Sequence, residues 1–403
     1  MKVNKHYFLS IIFILVTLFT FSCSGRETLL ILNWGEYINE DVVMAFEEKY
    51  NVTVSMSITD SNELFYSRIK SGTTAYDLVL PSDYMVEKMV QKKLLKKIDF
   101  SKLTNYHDEI FTEGAKTILD SLSPQTTSSG EVEDPKEYCV PYFYGTFGIM
   151  YDKTKPGLES IISDPSIAAQ AFFTPSMLPS GTRVGIYDSP RFIYSAALQA
   201  LGRPNINEVP DSTNDLINVS QNLLKSAKIY EWGFDTLKKN IIAHNLDLAY
   251  TWTGDMLDML YMQLDDGKTL EEITFDLVIP DNTIAFMDCF VIPTKSRHED
   301  LALKFIDFFI DPENAYANAS TVGYCTPILQ TYKWIVDPLL AEADGLCVYE
   351  EDKDWLDAWK YANEKYYPLN SVENPFKGVP LSNYEQSLLD IINQMVNKVK
   401  TGN

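Results

Sequence analysis

The first pattern along the chain is an apolar run from Tyr7 to Phe21, preceded by Lys2 and Lys5 and followed by small polar residues. It is too short to span a bilayer comfortably, and its charged start and small-residue end are those of a secretory signal, here 1–22. Beyond it, short apolar runs alternate with segments of helical period. Leu29-Leu30-Ile31-Leu32 is continuous, as expected of a strand buried on both faces of a parallel sheet. Asn39 is placed as an N-cap, with Glu40 and Asp41 in the first turn of the helix and Val42, Val43 and Phe46 on its inner face. Val52 to Met56 alternates as a second strand, and Ser61 opens a helix that stops near Gly72. Asp77 to Leu80 is a third strand, broken by Pro81, with a helix from Ser82 to about Leu94. This β-α-β-α-β-α order predicts a parallel sheet with right-handed crossovers.

Residues 121–136, rich in Ser, Thr, Pro and Gly, predict a surface loop. The apolar segment Tyr142 to Gly148 is placed as a crossover between two lobes. A second α/β series follows: a strand over 183–187, a helix from about Arg191 to Leu201, a strand over 246–252 and a helix from Asp255 to Leu264. Strands over 275–279 and 290–292 are placed in the return crossing, and the rest is mainly helical. At 403 residues the chain is too long for one ordinary core and suits two lobes.

Composition narrows the function. A formal net charge of −22 disfavours nucleic acid and anionic lipid, which reward clustered Lys and Arg. The four histidines (His6, His107, His244 and His298) form no H-E-x-x-H pattern. No G-x-S-x-G, phosphate loop or dinucleotide fingerprint is present, so neither an enzyme nor a cofactor or metal is expected. Cys23, directly behind the signal, resembles a lipoprotein cleavage site, so the chain is expected to be a periplasmic lipoprotein held to the membrane by its lipid alone. Cys139, Cys289, Cys325 and Cys347 contain no C-x-x-C pair. An exported compartment permits disulfides, and the three possible pairings stay open.

In open parallel sheets ligands bind beyond the carboxyl ends of the strands. Aromatic and acidic residues recur there: Trp34, Glu36 and Tyr37 after the first strand, Ser82, Asp83 and Tyr84 after the third, Asp188 and Ser189 in the second lobe, then Trp252, Thr253 and Asp255. Phe286 and Asp288 precede a strand of the return crossing, and Arg191 is the exceptional cation. Such a mixture suits an aliphatic amine, whose ammonium ends need carboxylates and whose stem needs apolar faces. Rings serve both, with cation–π contacts of roughly 0.5–2 kcal/mol each. For a ligand of about six heavy atoms, a ceiling near 1.5 kcal/mol per atom gives roughly micromolar affinity or slightly better.

Five segments in order, Asn33-Trp34-Gly35-Glu36-Tyr37, Tyr76 to Tyr84, Trp252-Thr253-Gly254-Asp255, Phe286-Met287-Asp288 and Gly323 to Pro327, resemble the polyamine-binding proteins of bacterial ABC importers. The resemblance implies an α/β, two-lobed type II periplasmic binding fold, each lobe a mainly parallel sheet flanked by helices around a hinge. The lobes are expected at 27–143 plus 288–332 and at 144–287 plus 333–403. It implies an aromatic box of Trp34, Tyr37, Tyr84, Trp252, Phe286 and Tyr324. Glu36, Asp255 and Asp288 would hold ammonium groups, with Ser82 helping and Asp188 a further candidate. Asp255 and Phe286 are similar to putrescine-type members, and Phe192 stands where spermidine-type relatives carry a carboxylate, so putrescine is expected to be preferred over spermidine. The implied partners are a permease with its ATPase, and the protein is expected to be a monomer. The alternative is the same fold binding a ferric ion, an amino acid or another amine.

Overall fold

The structure, a computed structural model, describes residues 26–210, 215–346, 353–366, 376 and 378–402. The expected signal, Cys23 and Cys347 lie outside the described residues. The strands are β1 (Thr28–Asn33), β2 (Thr53–Ile58), β3 (Leu78–Val79), β4 (Gln125–Thr126), β5 (Val132–Glu133), β6 (Cys139–Asp152), β7 (Val184–Tyr187), β8 (Glu231–Gly233), β9 (Leu248–Trp252), β10 (Phe275–Val278), β11 (Thr283–Val291) and β12 (Gly378–Pro380). Ten of them form one sheet in the order β2-β1-β3-β11-β6-β9-β7-β8, with β10 added on β6 and β12 on β11, while β4 and β5 pair as a small separate ribbon.

The pairing explains why the apolar runs read as they do. β1 is parallel to β2 and β3, and β7 is parallel to β8 and β9, so each half of the sheet is built from crossovers. Between the halves stand two long antiparallel strands: β6, whose first part pairs with β11 and whose second part pairs with β9 and β10. All fourteen residues of β6 and all nine of β11 are buried, which is why neither alternates polar and apolar positions. The segment expected as a crossover, Tyr142 to Gly148, is the middle of β6.

Local chemistry sets the element ends as expected. Asn39 caps the helix Glu40–Tyr50 by accepting from the Asp41 amide, and Ser61 caps Asn62–Ser71 by accepting from Leu64. Gly72 closes that second helix at φ +61°, a left-handed conformation that glycine adopts without steric cost. One expectation is corrected. Asp288 does not precede a strand but lies inside β11, because pairing with β6 extends the strand back to Thr283. The 121–136 loop also carries more structure than expected, namely β4, β5 and the short turn Pro135–Tyr138.

Candidate ligand site

Asp288 is the centre of the arrangement. A bulge sits between Asp288 and Cys289: Asp288 faces Phe143 and Cys289 faces Pro141, leaving Tyr142 as the extra residue of β6. Bulges re-aim side chains, and this one occurs where Asp288 also bridges to Ser82, at the N-terminus of the helix Asp83–Gln91. Ser82 Oγ donates to Asp288 Oδ1 at 2.6 Å, and the Tyr37 hydroxyl donates to Oδ2 at 2.8 Å. Both donors are themselves held. Asn62 Oδ1 accepts from the Ser82 amide at 2.9 Å and its Nδ2 donates to Ser82 Oγ at 2.9 Å, while the Tyr142 hydroxyl donates to the Tyr37 carbonyl at 2.6 Å. Asp288 is only 5% exposed. Burial pushes its carboxyl up to about 7, with the Ser82 and Tyr37 hydrogen bonds pulling the other way.

A second carboxyl faces the same rings. Asp255 opens the helix Asp255–Asp265, and its Oδ1 and Oδ2 accept from the Tyr324 hydroxyl at 3.3 Å and from Thr251 Oγ1 at 3.2 Å. The residue keeps some solvent contact, but its carboxyl is enclosed and burial raises it to about 6. The Lys238 cation opposes that rise, and the negative charge of Asp235 adds to it. The two hydroxyl donors, Tyr37 and Tyr324, open a chain of edge-to-face rings. Tyr37 meets Tyr324 at 5.1 Å between centroids, Tyr324 meets Phe286 at 5.9 Å, and Phe286 meets Trp252 at 4.6 Å. Trp252 is further packed by Phe147 at 4.1 Å and Phe192 at 4.9 Å. Separate elements deliver the members: β9 ends on Trp252, β11 carries Phe286 and Asp288, and the turn after the helix Pro312–Val322 presents Tyr324.

Residues 41–342 match the model of the family described as bacterial extracellular solute-binding proteins. The chain belongs to that family. This solute-binding protein is 28% identical over 327 residues to the spermidine/putrescine-binding periplasmic protein of Salmonella typhimurium, covering 80% of this chain and 84% of that one. It is 27% identical to the putrescine/cadaverine-binding protein of Pseudomonas aeruginosa, over 75% and 80% of the two chains. A solved structure described as a putative spermidine/putrescine ABC transporter from Listeria monocytogenes superposes with a TM-score of 0.69 at 26% identity, over 94% of this chain and all of that one. The fold is the two-lobed α/β architecture of periplasmic binding proteins.

The remaining residues expected at the site of this solute-binding protein are placed differently from that central group. Trp34 is half-buried against Phe65 at 4.8 Å, its indole N–H donating to the Leu80 carbonyl at 2.8 Å, so the β1 tip is tied to the β3 tip. Glu36 is exposed at φ +50° and stands outside the ring chain. Asp188 pairs with Lys400 of the helix Gln386–Thr401, so its charge is already met by a protein cation. Nor does it cap a helix, since Ser189 occupies the cap before Pro190. Tyr84 is buried with its ring face covered by the Arg191 guanidinium at 3.9 Å. Cys139, Cys289 and Cys325 are buried free thiols.

Three residues that matter here escaped the sequence reading. Asn62 sits at the start of a helix, and nothing in its neighbours announces a partner twenty residues away. Gly254 lies so close to Tyr324 that a Cβ would fall 2.4 Å from the ring, and a Cβ on Gly145 would lie 3.0 Å from Phe286. Both glycines stand in segments that were singled out, but for their neighbours.

Proposed function

We propose that this protein is the extracytoplasmic polyamine receptor of an ABC importer, with putrescine preferred over spermidine. The observation that carries the reading is two buried carboxyls, Asp288 and Asp255, hydrogen-bonded to Tyr37 and Tyr324, two touching members of one run of rings. Asp288 is a carboxylate set between Phe286, Met287, Cys289 and Phe290 in a buried strand, where an uncompensated charge is costly. An ammonium group supplies the missing countercharge, and the Tyr37, Tyr324, Phe286 and Trp252 rings supply the apolar faces for a methylene stem and cation–π contacts for its ends. The names of the relatives support the same ligand class. Phe192, packed on Trp252, adds bulk without charge at the place where a third ammonium would need an acid.

The ring contacts bear on mechanism. Rings meeting edge to face at 4.6–5.9 Å leave no gap for an alkyl chain, which needs about 3.5–4 Å to carbon on each side. The rings must therefore part to admit the ligand and close upon it. The sheet halves are joined through β6 and β11 among the described residues. Closure follows from differential contact: a diammonium chain pairs Asp288 and Asp255 together only when the two halves approach. Export and anchoring through an acylated Cys23, and docking of the closed form on a permease, complete the proposal.

Calorimetry on the lipid-free protein tests it. Putrescine is expected to bind at about micromolar affinity or better, and tighter than spermidine. Absence of binding by any diamine or triamine at millimolar concentration rejects the polyamine reading, and tighter binding of spermidine rejects the preference. Ferric ion and amino acids in the same series test the other ligands of this fold.

A further inference from the structure

A second group of acids and rings lies beside the site, and a protein cation already occupies it. Arg191, in the first turn of the helix Pro190–Ala200, is 4% exposed. Its guanidinium lies 3.9 Å from the Tyr84 ring centroid and 4.4 Å from that of Tyr384. Asp83 and Glu87, one helical turn apart on Asp83–Gln91, are both buried carboxyls. Burial raises Asp83, and the negative charges of Asp288 and Glu87 push it further, against the Tyr84 amide and the Arg191 cation. Burial likewise raises Glu87, against amide hydrogen bonds and the same Arg191 charge. Among the described residues, Asp83 Oδ2 and the Arg191 Nε and Nη2 atoms have no hydrogen-bond partner. The guanidinium is thus held by ring faces and by the field of two carboxyls rather than by a direct ion pair.

Two ring faces with two acids nearby suit an alkylammonium, and the chain connects the group directly to residues of the central site. Asp83 follows Ser82, the donor to Asp288, and Phe192, which packs on Trp252, follows Arg191. We propose that Arg191 is a specificity-determining residue: its guanidinium fills a second cation site made by Asp83, Tyr84, Glu87 and Tyr384, and so limits the ligand to two ammonium groups. This rests on the polyamine reading above. With the positive charge removed, two ring faces lose their cation and the two buried acids lose the charge that favours their ionised forms, and the third ammonium of a triamine is the group that replaces it.

The test is calorimetry of putrescine and spermidine on the wild type, Arg191→Gln, Arg191→Met and Arg191→Lys, with a ligand-free melting curve for each. The two neutral variants provide independent chances of a folded protein, and Lys keeps a cation in place. The expected result is a spermidine-to-putrescine affinity ratio raised about tenfold or more in the neutral variants, and unchanged in Arg191→Lys. A ratio unchanged in a folded neutral variant, or raised equally in Arg191→Lys, overturns the proposal. So would 4-aminobutyrate binding by the wild type that is lost on neutralising Arg191, since it would make the guanidinium a carboxylate receptor. Failure of the wild type to bind putrescine is a separate outcome that removes the polyamine reading itself.

Discussion

At the residue scale, the proposed binding rests on one carboxyl. Asp288 is expected to contribute to ligand binding and to apo stability with opposite pH dependence. Without ligand its folded-state value, about 7, lies above that of the unfolded chain, so its contribution to stability is fully present below the unfolded value and is lost as pH rises through about 7. An ammonium ligand needs the ionised form, so affinity changes the other way. For Asp288 alone, putrescine affinity should fall about ten- to a hundredfold from pH 8 to pH 5, and Asp255, raised to about 6, adds to the fall. Calorimetry across that range, in buffers of different ionisation heat, should also record proton release on binding near pH 6. A flat profile would mean that neither carboxyl meets the ligand. Asp288→Ala should cost about 3–5 kcal/mol of binding, because it leaves a buried ammonium without its countercharge. Near-normal affinity in that variant would remove Asp288 from the site.

At the scale of elements, the turn from β9 into the helix Asp255–Asp265 carries the tightest packing of the site. Gly254 is there for want of a Cβ rather than for its backbone angles, since its φ is −61°. In Gly254→Ala the new carbon would lie 2.4–2.6 Å from three Tyr324 ring atoms. The ring must move, which costs about 1–3 kcal/mol and breaks the Tyr324–Asp255 hydrogen bond. Weaker putrescine binding is expected, and an unaltered Kd would show that the ring position is not required. A contrast is Asp311, which caps the helix Pro312–Val322 through the Glu313 and Asn314 amides. Asp311→Ala should lower the denaturant-derived stability by about 1 kcal/mol and leave ligand affinity as it is. A changed affinity would place that helix in the binding machinery.

At the scale of the whole molecule, β6 and β11 couple the two halves of the sheet, and the ring chain lies across them. On the proposed mechanism the rings, which touch one another, separate for ligand entry and return on capture. Intrinsic tryptophan fluorescence should change saturably with putrescine, because Trp252 contacts Phe286 and Phe147 directly. Small-angle scattering should report a smaller radius of gyration with ligand than without, and Asp288→Ala should abolish both responses. Ligand binding with identical scattering curves would exclude closure as the mechanism.

Much of this was legible in the residues. Continuous apolar runs, Asn39 and Ser61 at helix starts and Gly72 at a helix end identified elements, because these signals are local and of large enough effect to survive any tertiary context. The ordered Trp, Tyr and Asp segments likewise contained Tyr37, Trp252, Asp255, Phe286, Asp288 and Tyr324, which the structure brings together. Which of those residues meet was not local. Tyr37 and Asp288 are 251 positions apart, and only the antiparallel pairing of β6 with β11, with its bulge at Tyr142, turns the carboxyl toward the hydroxyl. The neutralisation of Asp188 by Lys400 and the covering of Tyr84 by Arg191 belong to the same class. A sequence can place an acid at a strand tip, but whether its partner is solvent, ligand or a lysine 212 positions away depends on how distant elements pack.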